Sequence, residues 1–256
     1  MSGLIRSHVD EGVLRVVISH PSRFNAMDRA MWRCLRETFT AVQGHGELLA
    51  VVIEGEGAHF CAGGDISEYP QFRFDEAALR SFHEEDVWRA LQAVIDCDLP
   101  VVAAIAGNCM GAGVEIASCC DIRLASEGAR FGAPIARLGF PMAPREAQLV
   151  ARAVGELTAR EMLLSAAVLT AAEMKSRGFL NRVVPEDDLA PELGRMLEGM
   201  RSLSPMAARL NKQTLRSLAA GQPASALVAT AYGYAGAREH REGIMAFLEK
   251  RPAVFV

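Results

Sequence analysis

Two short apolar runs constrain the fold of this chain more than any other feature. Residues 48–53 (LLAVVI) and 101–106 (VVAAIA) carry no charge and no alternation of polar with apolar side chains. The first is bounded by Gly55 and Gly57, and Pro100 opens the second. Strands of this kind are buried on both faces, as in a parallel sheet covered by helices. A third run, 13–19 (VLRVVIS), is mostly apolar and β-branched, and Pro21 ends it. Asp28 can cap a following helix with Met31, Leu35 and Phe39 on its apolar stripe, closed by Gly44 and Gly46. Residues 75–96 form a second helical pattern, with Leu79, Phe82, Val87, Leu91 and Val94 on one stripe. A helix begins at Ala112, and residues 121–125 (DIRLA) read as a further strand. Strands alternating with helices predict α/β layers.

After about residue 140 the texture changes to Ala, Leu, Met and Arg, broken by Gly155, Gly178, Pro185, Pro191, Pro205, Gly221 and Pro223. This half is mostly helical, apart from a short strand expected at 182–184. The helices expected at 204–219 and 238–249 are amphipathic. Helices that cannot bury their faces in a small domain pack against another subunit, so an oligomer is expected.

Several partner classes are excluded. The 27 basic and 31 acidic residues are dispersed, and no basic block offers a footprint for nucleic acid. The longest uncharged run, 99–114, is glycine-rich and shorter than the ~20 apolar residues of a membrane span. The first ten residues hold no apolar stretch of a secretory signal. Cys34, Cys61, Cys97, Cys109, Cys119 and Cys120 include no C-x-x-C pair, and no His pair sits at i, i+4. They read as reduced thiols of a cytoplasmic protein, with no metal site.

There is no G-x-S-x-G elbow and no phosphate-binding Walker sequence. The third glycine of a dinucleotide fingerprint starting at Gly111 would fall on Ile116. Two glycine-rich turns remain, each after a buried strand: Phe60-Cys61-Ala62-Gly63-Gly64-Asp65-Ile66 and Gly107-Asn108-Cys109-Met110-Gly111-Ala112-Gly113-Val114-Glu115. Glycines let the backbone approach a ligand and aim N–H groups at it. At the second turn a helix N-terminus adds its dipole. Two convergent N–H groups form an oxyanion hole. Glu115 stands in an apolar context (Val-Glu-Ile-Ala) that points to burial. On the residues alone, the turns serve equally as catalytic backbone or as structural punctuation.

Both turns, in this order, resemble the two signature segments of the enoyl-CoA hydratase/isomerase superfamily, the crotonase fold. His20-Pro21-Ser22-Arg23-Phe24-Asn25-Ala26 resembles the family's early Asn-Pro-x-x-x-Asn-Ala segment. Residues 99–107 resemble the strand leading to the second turn, and residues 242–251 resemble the C-terminal signature. The resemblance covers the whole chain. It implies a ββα spiral core over 1–195 and a C-terminal helical trimerisation region over 196–256, assembled as a homotrimer or dimer of trimers. It implies acyl-coenzyme A thioester substrates and no separate cofactor. By position, the oxyanion-hole N–H groups belong to Gly64 and Ala112, the latter where the family usually has Gly. Arg23, Ala26, Ala62, Asp65 and Ile66 would line the coenzyme A groove. Phe247 and Lys250 match positions that reach coenzyme A, often from a neighbouring subunit.

One departure bears on the reaction. A typical hydratase of this family uses two glutamates. Glu115 matches the first. The second lies in Phe-Gly-x-Pro-Glu, which here reads Phe131-Gly132-Ala133-Pro134-Ile135. Ile135 cannot carry a proton. Glu146 reads as first-turn helix charge and His83 as a solvated histidine on a charged helix face, although either could replace the missing acid. The expected function is hydration of a 2-enoyl-CoA with Glu115 as acid/base. Isomerisation or decarboxylation through the same enolate, using Glu115 alone, and a catalytically weak acyl-CoA-binding protein are the alternatives.

Overall fold

A computed structural model describes residues 3–43 and 46–255 of the chain. It opens on an antiparallel hairpin, β1 (Leu4–Asp10) and β2 (Val13–Ser19). The helix α1 (Arg29–Ala41) follows, capped as expected: the Asp28 carboxylate accepts from the Met31 N–H at 2.8 Å. Met31, Trp32, Leu35 and Phe39 form its buried stripe. Gly44, expected to help close this helix, lies outside the described residues.

β3 (Ala50–Gly55) and β4 (Val101–Ile105) are the two apolar runs. Both lie parallel inside a sheet of order β1-β2-β3-β4-β6-β9, where β6 is Ile122–Ser126 and β9 is Arg182–Val184. The period of two sorts their residues. Val51, Ile53, Val101, Ala103 and Ile105 face the main core, beneath α1. Val13, Ala50, Val52, Val102, Ala104 and Leu124 face the other way, onto Leu193 and Leu197 of a later helix. A second, three-stranded sheet, β5 (Asn108–Met110), β7 (Arg130–Gly132) and β8 (Val168–Thr170), lies beside the first turn region. Its strands are too short to show a sequence pattern.

The helical pattern at 75–96 is continuous but not uniform. α2 (Glu76–Ser81) passes into a π-helical segment, Phe82–Trp88, and then into α3 (Arg89–Asp96). The remaining helices are α4 (Ala112–Cys119), α5 (Pro144–Val154), α6 (Glu156–Leu164), α7 (Ala171–Ser176), α8 (Leu189–Arg201), α9 (Pro205–Ala219), α10 (Ala224–Leu227) and α11 (Arg238–Glu249). α8 supplies the leucines that cover the second sheet face. α9 is held largely by cations on backbone oxygens: Lys212 Nζ donates to Leu99 O at 2.7 Å and to Asp121, and Arg216 donates to Asp96 O at 2.7 Å.

Candidate active site

The two glycine-rich turns are brought together by main-chain bonds. Cys61 and Cys109 form a parallel bridge. The Cys61 N–H donates to Asn108 O at 2.8 Å, and the Met110 N–H donates to Cys61 O at 2.9 Å. The His59 ring adds a side-chain tie, with Nδ1 accepting from the Asn108 N–H at 3.1 Å. Gly63 (φ +114°) and Gly111 (φ +46°) take backbone angles that side chains disfavour. A Cβ on Gly111 would lie 3.7 Å from Gly63 Cα, so the two turns pack face to face.

Around them, the neighbouring amides are consumed. The Asp65 N–H donates to Met27 O and the Gly111 N–H to Gly132 O, both at 2.8 Å. The Gly64 and Ala112 N–H groups have no such acceptor among the described residues, and both residues line a cavity of about 310 Å³. Ala112 is the first residue of α4 and does not need a left-handed angle, because Gly111 absorbs the turn. Alanine is therefore accommodated at this position without backbone strain. At Gly64 no side chain fits: a Cβ there would collide with the Tyr69 hydroxyl.

Glu115, one turn into α4, also lines this cavity. Burial pushes its carboxyl up to about 8; the neighbouring Glu146 adds to the rise and Arg73 opposes it. Cys61, behind the first turn, is driven up to about 12 by burial and is no nucleophile.

Glu146 stands in the first turn of α5, as expected, but it is buried, and His83 is not the solvated residue expected on a charged helix face. Glu146 is 2% exposed, and its carboxylate Oε1 lies 3.0 Å from His83 Nδ1. His83 is half-buried and lines the cavity. The physical reason is the π segment, whose i→i+5 spacing rotates the following side chains off the regular helical face. That segment is anchored to α1 by the buried Asp86 carboxylate, which accepts from Arg29 Nε at 2.8 Å and Arg33 Nε at 2.7 Å. Pro144 starts α5, so Glu146 enters the core at its first turn.

Ile135 lines the same cavity, with Trp32, Phe82, Val87, Leu138, Phe140 and Met142. Tyr69 and Arg73, on the segment after the first turn, complete it. Burial pushes the Tyr69 phenol above its ordinary value, with Arg73 opposing. Arg73 stands between two aromatic residues, Phe72 and Phe74, with no pattern to mark it; sequence reasoning missed it.

Of the other expected residues, Ala62 and Ile66 line the cavity. Asp65 is buried and caps the following turn: its carboxylate accepts from the Ser67 N–H at 3.0 Å and from the Ser67 hydroxyl at 2.8 Å. Burial works to raise that carboxyl, but the Ser67 bonds and Arg23 carry it below its ordinary range. Arg23 is exposed beside it and Ala26 is buried behind it. Phe247 is 83% exposed and Lys250 is exposed at the end of α11, and neither lines this cavity. No group of three or more His, Cys, Asp or Glu able to hold a metal occurs among the described residues. No helix among them is long and apolar enough to cross a membrane.

This geometry, two unclaimed N–H groups above a buried glutamic acid, agrees with what the chain is similar to. The sequence model of the enoyl-CoA hydratase/isomerase family matches residues 8–256. A crotonyl-CoA hydratase of Syntrophomonas wolfei is 31% identical, with 96% of this chain and 95% of the relative covered. A 2,3-dehydroadipyl-CoA hydratase of Escherichia coli is 32% identical, with 100% and 99% covered. The crystal structure of an enoyl-CoA hydratase/carnithine racemase from Magnetospirillum magneticum superposes with a TM-score of 0.94 at 31% identity, covering 98% of this chain and 95% of that one. By its fold, its matched length and its site, the chain belongs to the enoyl-CoA hydratase/isomerase family.

Proposed function

We propose that the protein is an enoyl-CoA hydratase in which a Glu146–His83 pair replaces the glutamate absent at Ile135. The observation that carries this reading is the 3.0 Å contact between His83 Nδ1 and the buried Glu146 carboxylate, with His83 facing the cavity that holds Glu115. The thioester oxygen sits between the Gly64 and Ala112 N–H groups, which stabilise the enolate as charge develops. The Glu146 carboxylate accepts a hydrogen bond from the His83 Nδ1–H and thereby leaves Nε2 free to take a proton from water. The water oxygen bonds to the β-carbon, and the π pair of the double bond moves into the enolate. Glu115, protonated below about pH 8, gives its proton to the α-carbon as the enolate collapses. The imidazolium proton returns through solvent to the Glu115 carboxylate when product leaves.

The reading extends to a trimer or a dimer of trimers. In support, α9 and α11 leave Leu215, Leu218, Ile244, Phe247 and Leu248 exposed. Phe247 and Lys250 then contribute to coenzyme A binding at a neighbouring subunit, and Arg23, Asp65 and Ile66 line the groove on the first. The six free thiols fit the reducing cytoplasm.

The test is a turnover assay on crotonyl-CoA, a 3-enoyl-CoA and a malonyl-type thioester. Hydration of crotonyl-CoA is expected, falling ~10²-fold or more in His83→Gln and declining as pH rises through about 8 in the wild type. Isomerisation of the 3-enoyl thioester with no hydration, unaffected by His83→Gln, would mean that Glu115 works alone.

A further inference from the structure

The cavity holds a cation, Arg73, that forms an ion pair with no carboxylate among the described residues. Arg73 lines it among apolar walls: Phe82, Val87, Phe140, Met142. Its guanidinium carbon lies 3.7 Å from the Phe140 ring centroid and 4.3 Å from that of Tyr69, so the group is clamped between rings. Its Nε is fully buried and has no hydrogen-bond acceptor. Among the described residues no carboxylate forms an ion pair with it. The arginines around it are different: Arg29 and Arg33 pair with Asp86, and Arg145 pairs with Glu84 at 3.1 Å. The carboxyl that faces Arg73 most directly in charge is Glu115, and that group keeps its proton at neutral pH.

A guanidinium whose Nε is buried without an acceptor is left incomplete unless an anion fills that position. A purely hydrocarbon acyl chain would leave it so, because it would displace water from the cation and return nothing. A carboxylate would match the planar fork of the guanidinium and fill the orphaned donor. Arg137, exposed and also lining the cavity, adds a second positive charge beside it.

We propose that Arg73 selects acyl-CoA thioesters whose acyl chain bears a second carboxylate, which pairs with its guanidinium inside the cavity. The proposal rests on the acyl-CoA reading of the site but not on which reaction follows. Of the two arginines that line the cavity, Arg73 is the one held between rings, whereas Arg137 is exposed.

The experiment measures binding, so that turnover does not enter. Dissociation constants are determined by calorimetry for butyryl-CoA, glutaryl-CoA, hexanoyl-CoA, adipyl-CoA and free coenzyme A, on wild type, Arg73→Met and Arg73→Lys. The wild type is expected to bind one of the carboxylated thioesters at least ~10-fold more tightly than the neutral thioester of similar length. Arg73→Met should bring that ratio to about one, and Arg73→Lys should keep part of it; thermal melts confirm that both variants fold. Equal wild-type affinity for carboxylated and neutral thioesters overturns the proposal and leaves the acyl-CoA reading standing. An equal loss for all ligands, free coenzyme A included, also overturns it, because Arg73 would then be reading the coenzyme phosphates. Binding of none of them removes the acyl-CoA reading itself.

Discussion

The sheet core and the C-terminal arm are built from similar amounts of apolar residue and treat them in opposite ways. β3 and β4 bury almost every side chain, and α1 buries Met31, Trp32, Leu35 and Phe39. α9 and α11 together bury only Lys212 and Ala246, and leave Leu215, Phe247 and Leu248 in the open. The core closes on itself through apolar contact between sheet and helix. The arm is tied down by Lys212 and Arg216 on backbone oxygens, which fixes its position without covering its apolar face. The difference teaches that the core finds its stability within the chain, while the arm keeps an apolar face that the chain itself does not cover. Every residue that lines the cavity belongs to the core, and Phe247 and Lys250 stand away from it.

The largest effect that would sharpen this contrast is at the centre of the core. Glu115→Gln is expected to cut turnover by ~10²–10⁴-fold while thioester binding persists. Full activity in steady-state assays of that variant would remove Glu115, and the cavity with it, from the chemistry. Gly64→Pro removes one oxyanion donor, worth ~10²–10³ in rate, and further disturbs the turn.

Next comes packing. Leu35→Ala, at a fully buried position beneath the sheet, should cost ~2–5 kcal/mol by chemical denaturation. Leu215→Ser and Phe247→Ser, on the arm, should change the intrinsic stability of the chain by within about 0.5 kcal/mol. The same two changes should convert a trimeric or hexameric species to smaller ones in sedimentation. A wild type that sediments as a monomer at micromolar concentration would break the comparison, since the arm's open face would then have no partner.

The smallest effect is electrostatic. Glu115 holds its proton in the folded protein up to about pH 8, whereas an unfolded glutamate releases it near ~4.3. The folded state therefore binds more protons between those values. Stability from this group is fully present below ~4.3, declines as pH rises, and is lost above about 8. Glu115→Gln should flatten that slope and melt higher than the wild type at pH 9, by ~2–4 °C for each 1 kcal/mol recovered. Parallel melting curves for the two proteins across pH 5–9 would show that the carboxyl is solvated.

Much of the fold was legible in the order of residues because local rules governed it. Apolar runs without alternation marked β3 and β4, Asp28 marked the start of α1, and the glycine-rich turns after two buried strands marked the region of the cavity, within which the family resemblance singled out Gly64 and Ala112. β1 and the strands of the small sheet escaped notice. β1 is an edge strand with mostly exposed side chains, and β5, β7 and β8 have three residues each. Neither leaves a hydrophobic period to count.

Three features of the site were decided only by tertiary structure. His83 and Glu146 are 63 positions apart, and each is an ordinary charged residue in its own segment. They meet because a π turn redirects one helix and a proline-started helix drives the other into the core. Arg73 carries no local signal at all; it acquires meaning from the rings that clamp it and from its buried Nε, which has no acceptor among the described residues. Secondary structure follows from neighbours along the chain, and so the sequence determined the layers, the turns and the first glutamate. The His83–Glu146 contact and the ring-clamped Arg73 are set by burial and charge from distant segments, which act on side chains only once the chain has closed around them.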